Sequence, residues 1–321
     1  MTAGPETLLL HTAEASQWVG VDALSEAVRE AVPEIDLRVA RTPSESRRAI
    51  EAATVVLATN VPSDLLEGAE NLELIQALSA GVDFWDLKPI RDRGITLTTA
   101  AGVHAESIAE QVLGYLLAFE RGLHTGIRQQ HRRSWEWFHG GEIRGKTLGI
   151  VGVGAIGTRV AELAQAFDMT VIGTKRDVGN APDSVDVIHP PDELFTILPQ
   201  SDYLLIACPL TPETRGLIGR EALGALPDDA ILVNIARGDI VDEAALVRSL
   251  QQGRIRGAGL DVFETEPLPR DSPLWGLSNV IMTPHMGGTT PEKPRRTAAI
   301  IAQNYRAYVE EDPTEYVNRV F

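Results

Sequence analysis

Along the first hundred residues, short apolar runs alternate with stretches of helical periodicity. Apolar runs cover 7–11, 37–40, 54–59, 72–77 and 95–99, and helical patterns lie between them, one over 21–32 and one opened by Ser44. Strand–helix alternation of this kind predicts a parallel sheet covered by helices, an α/β domain. From about 104 to 121, through Glu106-Ser107-Ile108-Ala109-Glu110-Gln111-Val112-Leu113, the pattern is helical and apolar on more than one face, ending near Gly122. A helix of that kind must be buried broadly, between domains or against a second subunit.

A second alternating series follows, with strands expected at 147–151, 170–173, 203–208, 230–235, 258–262 and 280–283. A helix over 242–252 has an acidic start and Gly253 where a C-terminal cap belongs. The last helix, 294–310, follows the final strand and is free to return to the first domain.

The chain has 321 residues, 44% of them hydrophobic, enough for two domains with separate cores. Its formal charge of −16 argues against nucleic acid as a partner, because neutralising phosphate needs concentrated Lys and Arg. Only Lys88, Lys146, Lys175 and Lys293 are lysines among 29 basic residues. Acidic excess with scarce Lys suggests adaptation to a salty cytoplasm, where a Debye length of about 3 Å at 1 M salt screens surface repulsion. Cys208, the single cysteine, lies in an apolar run and reads as a buried thiol in a reducing compartment. No signal-peptide pattern opens the chain and no apolar run reaches the ~18 residues of a membrane helix, so the expectation is a cytoplasmic protein.

Gly152-Val153-Gly154-Ala155-Ile156-Gly157 follows an apolar strand and opens a helical pattern over 158–167. In that context the glycines permit a tight turn, close approach of a pyrophosphate and helix–strand packing, with the anion at the helix N-terminus. The next strand ends in Thr174-Lys175-Arg176, where an acidic residue usually binds the adenosine ribose. Two cations and a hydroxyl suit a 2′-phosphate, so NADP(H) is expected to be preferred, with NAD(H) secondary. The alternative is a solvated basic turn with Asp177 taking the ribose contact.

Arg237 follows an apolar strand and precedes Gly238, at a strand end where α/β sheets collect ligands. A guanidinium there can hold a carboxylate and the neighbouring carbonyl together. His285 and Glu266 also follow strand ends. A carboxylate beside an imidazole stabilises its protonated form, the proton donor a carbonyl oxygen needs near neutral pH.

In combination, these segments resemble the D-isomer-specific 2-hydroxyacid dehydrogenase family over nearly the whole chain. The resemblance is carried by Ser79-Ala80-Gly81-Val82-Asp83, the glycine block, Cys208-Pro209-Leu210-Thr211-Pro212-Glu213-Thr214, Ile235-Ala236-Arg237-Gly238, Asp261-Val262-Phe263 with Glu266-Pro267, and Thr283-Pro284-His285. It implies two Rossmann-like or flavodoxin-like domains with parallel sheets and an active-site cleft between them. Residues 1–100 plus 289–321 would form a discontinuous substrate-binding domain and 101–288 the dinucleotide-binding domain, with dimerisation through the latter.

The implied activity is reversible hydride transfer between NAD(P)H and a small 2-oxo acid, giving a D-2-hydroxy acid. Arg237 is implied as substrate anchor, His285 as acid/base and Glu266 as its partner, with Ser79, Ala80 and Gly81 binding the carboxylate. Gly152, Gly154, Ala155, Ile156, Gly157, Thr174, Lys175, Arg176, Cys208, Pro209, Thr214, Ile235, Ala236, Arg237, Asp261, His285 and Gly287 are the implied cofactor contacts. Leu78, Ser79, Val103, Trp135 and Met286 are candidate pocket-lining residues.

Two departures stand out. Ala100-Ala101 replaces a common Asn before the glycine, and Lys175-Arg176 replaces the ribose-binding acid, as in glyoxylate and hydroxypyruvate reductases of the family. Trp135, Trp137 and Phe138 form an aromatic cluster that either caps a partner's substrate pocket or packs in a dimer arm. His124, His131 and His139 are too loosely spaced for a metal site, and none is expected.

Three other readings stay open. A formate dehydrogenase would carry an amide in place of Glu266, and a phosphoglycerate dehydrogenase commonly continues into a regulatory domain beyond the point where this chain stops. A nicotinamide-binding corepressor or redox sensor would keep the same motifs and use them for partner binding.

Overall fold

The computed structural model describes residues 6–82 and 84–321 except 11–19, with 6–10 described as backbone only. His11, in the first expected strand, and Asp83, in the Ser79 segment, lie outside the described residues. The chain divides into two compact units, 1–104 with 289–321, and 105–288.

Unit 1 runs β1 (Glu6–Leu10), α1 (Val21–Ala31), β2 (Asp36–Ala40), α2 (Pro43–Ala49), β3 (Val55–Ala58), α3 (Ser63–Glu67), β4 (Leu74–Ala77), α4 (Leu87–Asp92) and β5 (Thr96–Thr98). The parallel sheet has the order β2-β1-β3-β4-β5, the flavodoxin-like arrangement. Strands β3 and β4 are buried along their whole length because successive side chains enter cores on opposite faces: Val55, Leu57 and Leu74 on one, Val56, Ala58 and Ile75 on the other. The expectation that Ser44 opens α2 is corrected. Thr42 is the cap, its hydroxyl accepting the Glu45 amide while the Glu45 carboxylate accepts the Thr42 amide, and Pro43 takes the first helical position.

Unit 2 comprises α5 (Ala105–Glu120), α6 (Leu123–Arg132), β6 (Thr147–Val151), α7 (Ala155–Ala166), β7 (Thr170–Thr174), β8 (Val187–His189), α8 (Leu194–Ile197), β9 (Tyr203–Ile206), α9 (Arg220–Ala225), β10 (Ile231–Asn234), α10 (Glu243–Gln251), β11 (Gly257–Leu260) and β12 (Val280–Met282). Its parallel sheet has the order β12-β11-β10-β9-β6-β7-β8, so the chain reverses direction across the sheet at β6. The broad burial of α5 arises inside this unit: it packs on α7 and against β10 and β11. Asp242 caps α10 through the Ala245 amide at 2.8 Å, and Gly253 just beyond it has φ +63°.

The chain then returns to unit 1 as α11 (Lys293–Val309), which packs on α1 and buries Ala298, Ile301, Ala302 and Tyr305. Buried Asn304 donates to Gln76 Oε1 at 2.6 Å and takes the Val317 amide at 2.8 Å. The terminal segment pairs with β5, Val320 donating to the Leu97 carbonyl at 2.8 Å. Among the described residues no helix is long and apolar enough to cross a membrane.

Candidate active site

The glycine loop follows β6 at the switch point of the unit 2 sheet. Gly152 has φ +98°, and a Cβ there would stand 2.7 Å from the Cys208 backbone, so only glycine fits. A Cβ on Gly154, by contrast, would meet nothing within 4 Å. Gly154 is also the N-cap of α7 and no side chain caps it, leaving the first-turn amides around Ala155, Ile156 and Gly157 directed out of the helix end. Open space before an uncapped helix N-terminus is what a pyrophosphate requires.

The end of β7 is stitched to this loop. The Val153 amide donates to the Thr174 carbonyl at 2.9 Å, and the Gly152 amide to the Thr174 hydroxyl at 3.3 Å. Lys175 Nζ donates to the Val153 carbonyl at 2.8 Å, so this ammonium braces the loop. Arg176 is exposed at the strand end. Hydrogen bonding by Thr211, helped by the positive charge of Arg176, holds the Glu213 carboxyl below the usual range.

Cys208 is buried behind Gly152, and burial pushes its thiol up to about 11, which suits packing rather than nucleophilic chemistry. The hydroxyl of Thr214 donates to the Pro209 carbonyl at 2.7 Å and accepts the Thr211 amide at 2.7 Å, closing the 209–214 loop on itself.

Three adjacent strands, β10, β11 and β12, carry the candidate chemistry at their C-terminal ends. Arg237 follows β10 after buried Ile235 and Ala236. Its backbone is clasped by Asn234, whose side-chain amide donates to the Arg237 carbonyl at 2.9 Å and accepts the Ala236 amide at 3.1 Å. Arg237 itself donates from its guanidinium to the Ala236 carbonyl at 2.7 Å. A side chain on Gly238 would collide with the Phe263–Glu264 peptide, so this glycine lets the segment leading to Glu266 run against the Arg237 loop.

His285 Nδ1 lies 2.7 Å from Glu266 Oε2, and Glu266 Oε1 accepts the Phe263 amide at 3.0 Å. His285 has φ +50°, an uncommon conformation for a non-glycine residue, held by bonds from its amide to the carbonyls of Asp261 (2.8 Å) and Thr283 (3.0 Å). Asp261, expected at the cofactor, is buried and directs its carboxylate at the His285 turn, taking the amides of Met286 at 3.0 Å and Gly287 at 2.9 Å.

Ser79, Ala80 and Gly81 lie just past β4 in unit 1, where Ser79 Oγ donates to the Gly81 carbonyl at 2.7 Å. Of the pocket candidates, Leu78 and Val103 are buried in that unit, Met286 is partly exposed, and Trp135 is 91% exposed. Sequence reasoning missed Asn234 and Gln111. A polar residue closing a buried strand three positions before Arg237 was a readable signal for the first.

The family profile for the D-isomer specific 2-hydroxyacid dehydrogenase NAD binding domain matches residues 113–287. The chain belongs to this family. The family expected from the motifs is therefore the right one, and with it the class of enzyme, a 2-hydroxyacid dehydrogenase using a nicotinamide cofactor.

The chain is 38% identical over 272 residues to glyoxylate/hydroxypyruvate reductase B of Pectobacterium carotovorum, covering 82% of this chain and 84% of that protein. It is 35% identical over 295 residues to D-3-phosphoglycerate dehydrogenase of Methanocaldococcus jannaschii, covering 90% of this chain but only 56% of the relative's length. A crystal structure of a D-isomer specific 2-hydroxyacid dehydrogenase from Xanthobacter autotrophicus, in complex with NADPH and MES, superposes with a TM-score of 0.85 at 32% identity. That match covers 99% of this chain and 98% of the other.

Proposed function

We propose that this chain reduces a small 2-oxo acid, of the glyoxylate or hydroxypyruvate type, to the D-2-hydroxy acid, with NADPH preferred over NADH. The observation that carries this reading is the His285–Glu266 pair, whose residues follow β12 and β11, the two strands that come next after Arg237's strand β10 in the sheet order. When held by the glycine loop and the uncapped N-terminus of α7, the nicotinamide cofactor would supply the hydride that the carbonyl carbon accepts. Arg237 binds the substrate carboxylate and polarises the adjacent carbonyl. With Nδ1 turned to Glu266, Nε2 of His285 is the atom that hands a proton to the carbonyl oxygen as it becomes a hydroxyl. Ser79, Ala80 and Gly81 are the proposed carboxylate loop of unit 1.

The preference for NADPH is supported by exposed Arg176 at the end of β7 and by the NADPH held in the Xanthobacter protein. Homodimerisation through unit 2 is supported by α6, of which no residue is buried, and by Trp135 and Trp137, both more than 90% exposed beside it. Light scattering on the purified chain measures that association.

The deciding experiment is the initial rate of NADPH and NADH oxidation in molar KCl with glyoxylate, hydroxypyruvate, pyruvate and branched 2-oxo acids. D-3-phosphoglycerate with the oxidised cofactors belongs in the same panel, because the Methanocaldococcus relative is named for that substrate. Fast NADPH-linked reduction supports the reductase. Oxidation of phosphoglycerate alone would move the chain to the biosynthetic dehydrogenases, and cofactor binding without turnover would favour a corepressor or sensor.

A further inference from the structure

Three consecutive amides, those of His285, Met286 and Gly287, all end on one residue. They donate to the Asp261 carbonyl, Oδ1 and Oδ2 at 2.8, 3.0 and 2.9 Å. Asp261 thus holds the turn that sets the left-handed backbone of His285. Its carboxylate is buried, and the donors satisfying it are the neutral Met286 and Gly287 amides, the Thr283 hydroxyl and the Gln111 side-chain amide. A buried carboxylate stays where it is only while such donors stay with it.

Gln111 is the most connected of these. From α5 its Nε2 reaches Asp261 Oδ1 at 3.1 Å, Thr283 Oγ1 at 2.7 Å and Tyr115 Oη at 2.9 Å. Tyr115 in turn bonds to the Thr283 hydroxyl, and burial pushes its phenol up to about 12, so it remains a neutral hydroxyl across the working pH range. A Cβ on Gly287 would lie 2.9 Å from Asp261 Oδ2 and 3.3 Å from Gln111 Oε1, so the turn is packed directly onto both side chains.

We infer that Gln111 is a positioning residue for His285, acting through Asp261 and Thr283 and touching neither substrate nor cofactor. The helix α5, anchored on α7 and on strands β10 and β11, is the rigid body against which the His285 turn is registered. The inference rests on the proposed role of His285 as proton donor.

The test compares Gln111→Met, which keeps length and removes the donor, with Gln111→His, which restores an N–H. Thr283→Val serves as a second variant should Gln111→Met fold poorly. Gln111→Met is expected to lower kcat for the best 2-oxo acid by about tenfold or more, with the KM for NADPH within roughly twofold, because a misplaced acid slows the proton-transfer step.

In the protein without ligands, hydrogen–deuterium exchange of amides 285–287 should quicken by roughly tenfold while core amides of β9 and β10 hold. Gln111→His should recover most of both losses. Unchanged exchange at 285–287 in Gln111→Met would overturn the inference, as would a loss of thermal stability spread evenly over the unit. If the wild-type chain turned over no 2-oxo acid, the proposed function would fail, and the exchange comparison would still decide whether Gln111 holds the turn.

Discussion

Glu266 presents one carboxylate oxygen to His285 Nδ1 at 2.7 Å and has the other fixed by the Phe263 amide at 3.0 Å. The carboxylate is therefore tethered to its own loop before it orients the imidazole. His285→Ala is expected to reduce kcat/KM by roughly 10²- to 10⁴-fold, the usual worth of a general acid. Glu266→Gln should lose at least about tenfold through the same step. Titration of NADPH fluorescence should show binding to both variants close to wild type; a parallel collapse of cofactor affinity would mean that the pair shapes the nucleotide site instead.

Lys175 and Arg176 are neighbours in the chain and do different things in the structure. Because Lys175 braces the Val153 carbonyl, Lys175→Met should weaken NADPH and NADH alike. Arg176→Gln should raise the KM for NADPH by about tenfold or more and leave NADH within about twofold, since only NADPH carries a 2′-phosphate for a charge-assisted bond. Steady-state kinetics with both cofactors separates the two roles.

Buried Glu120 closes a network on the other side of unit 2, accepting from Tyr203 Oη and the Arg256 guanidinium at 2.6 Å each. Burial pulls its carboxyl upward, but the bonds from Arg256 and Tyr203 pull it further down, and the net effect is a value below the ordinary glutamate range. Stability from such a group is present above the unfolded value, about 4.3, and disappears as pH falls through the lower folded value. Glu120→Gln should destabilise the protein at pH 7 by about 2 kcal/mol, with the gap to wild type narrowing below about pH 4. Urea unfolding at pH 7 and at pH 3 to 4 measures it, and a gap independent of pH would assign the loss to packing.

With a formal charge of −16 and only four lysines, the chain should gain activity and melting temperature between low salt and about 1 M KCl, as screening relieves surface repulsion. Flat profiles in differential scanning fluorimetry and in the reductase assay would contradict salt adaptation.

Strands such as β9 and β10 were readable because both faces are buried, which makes an unbroken apolar run with clear ends. Strand β8 was not: three residues at a sheet edge leave no period to detect. Helix α6 escaped because it buries no residue within the chain and only Leu123 and Ile127 mark its apolar face, too few to set a helical period in the sequence. Arg237, Glu266 and His285 were visible as charged or titratable groups at strand ends. The reach of Gln111 was not, since a local sequence marks a polar residue without saying which carboxylate, 150 residues away, will accept its hydrogen.

Both ends of the chain build unit 1, whereas residues 105–288 form unit 2 without interruption. Domains generally fold as units while synthesis proceeds from the N-terminus. The glycine loop and the strands bearing Arg237, Glu266 and His285 can therefore be complete on the ribosome while β4 still waits, its buried Gln76 lacking the Asn304 amide that arrives only with α11. The half that came first off the ribosome is finished last, and a nascent chain stalled before α11 would display a nucleotide-competent unit beside an open, aggregation-prone sheet.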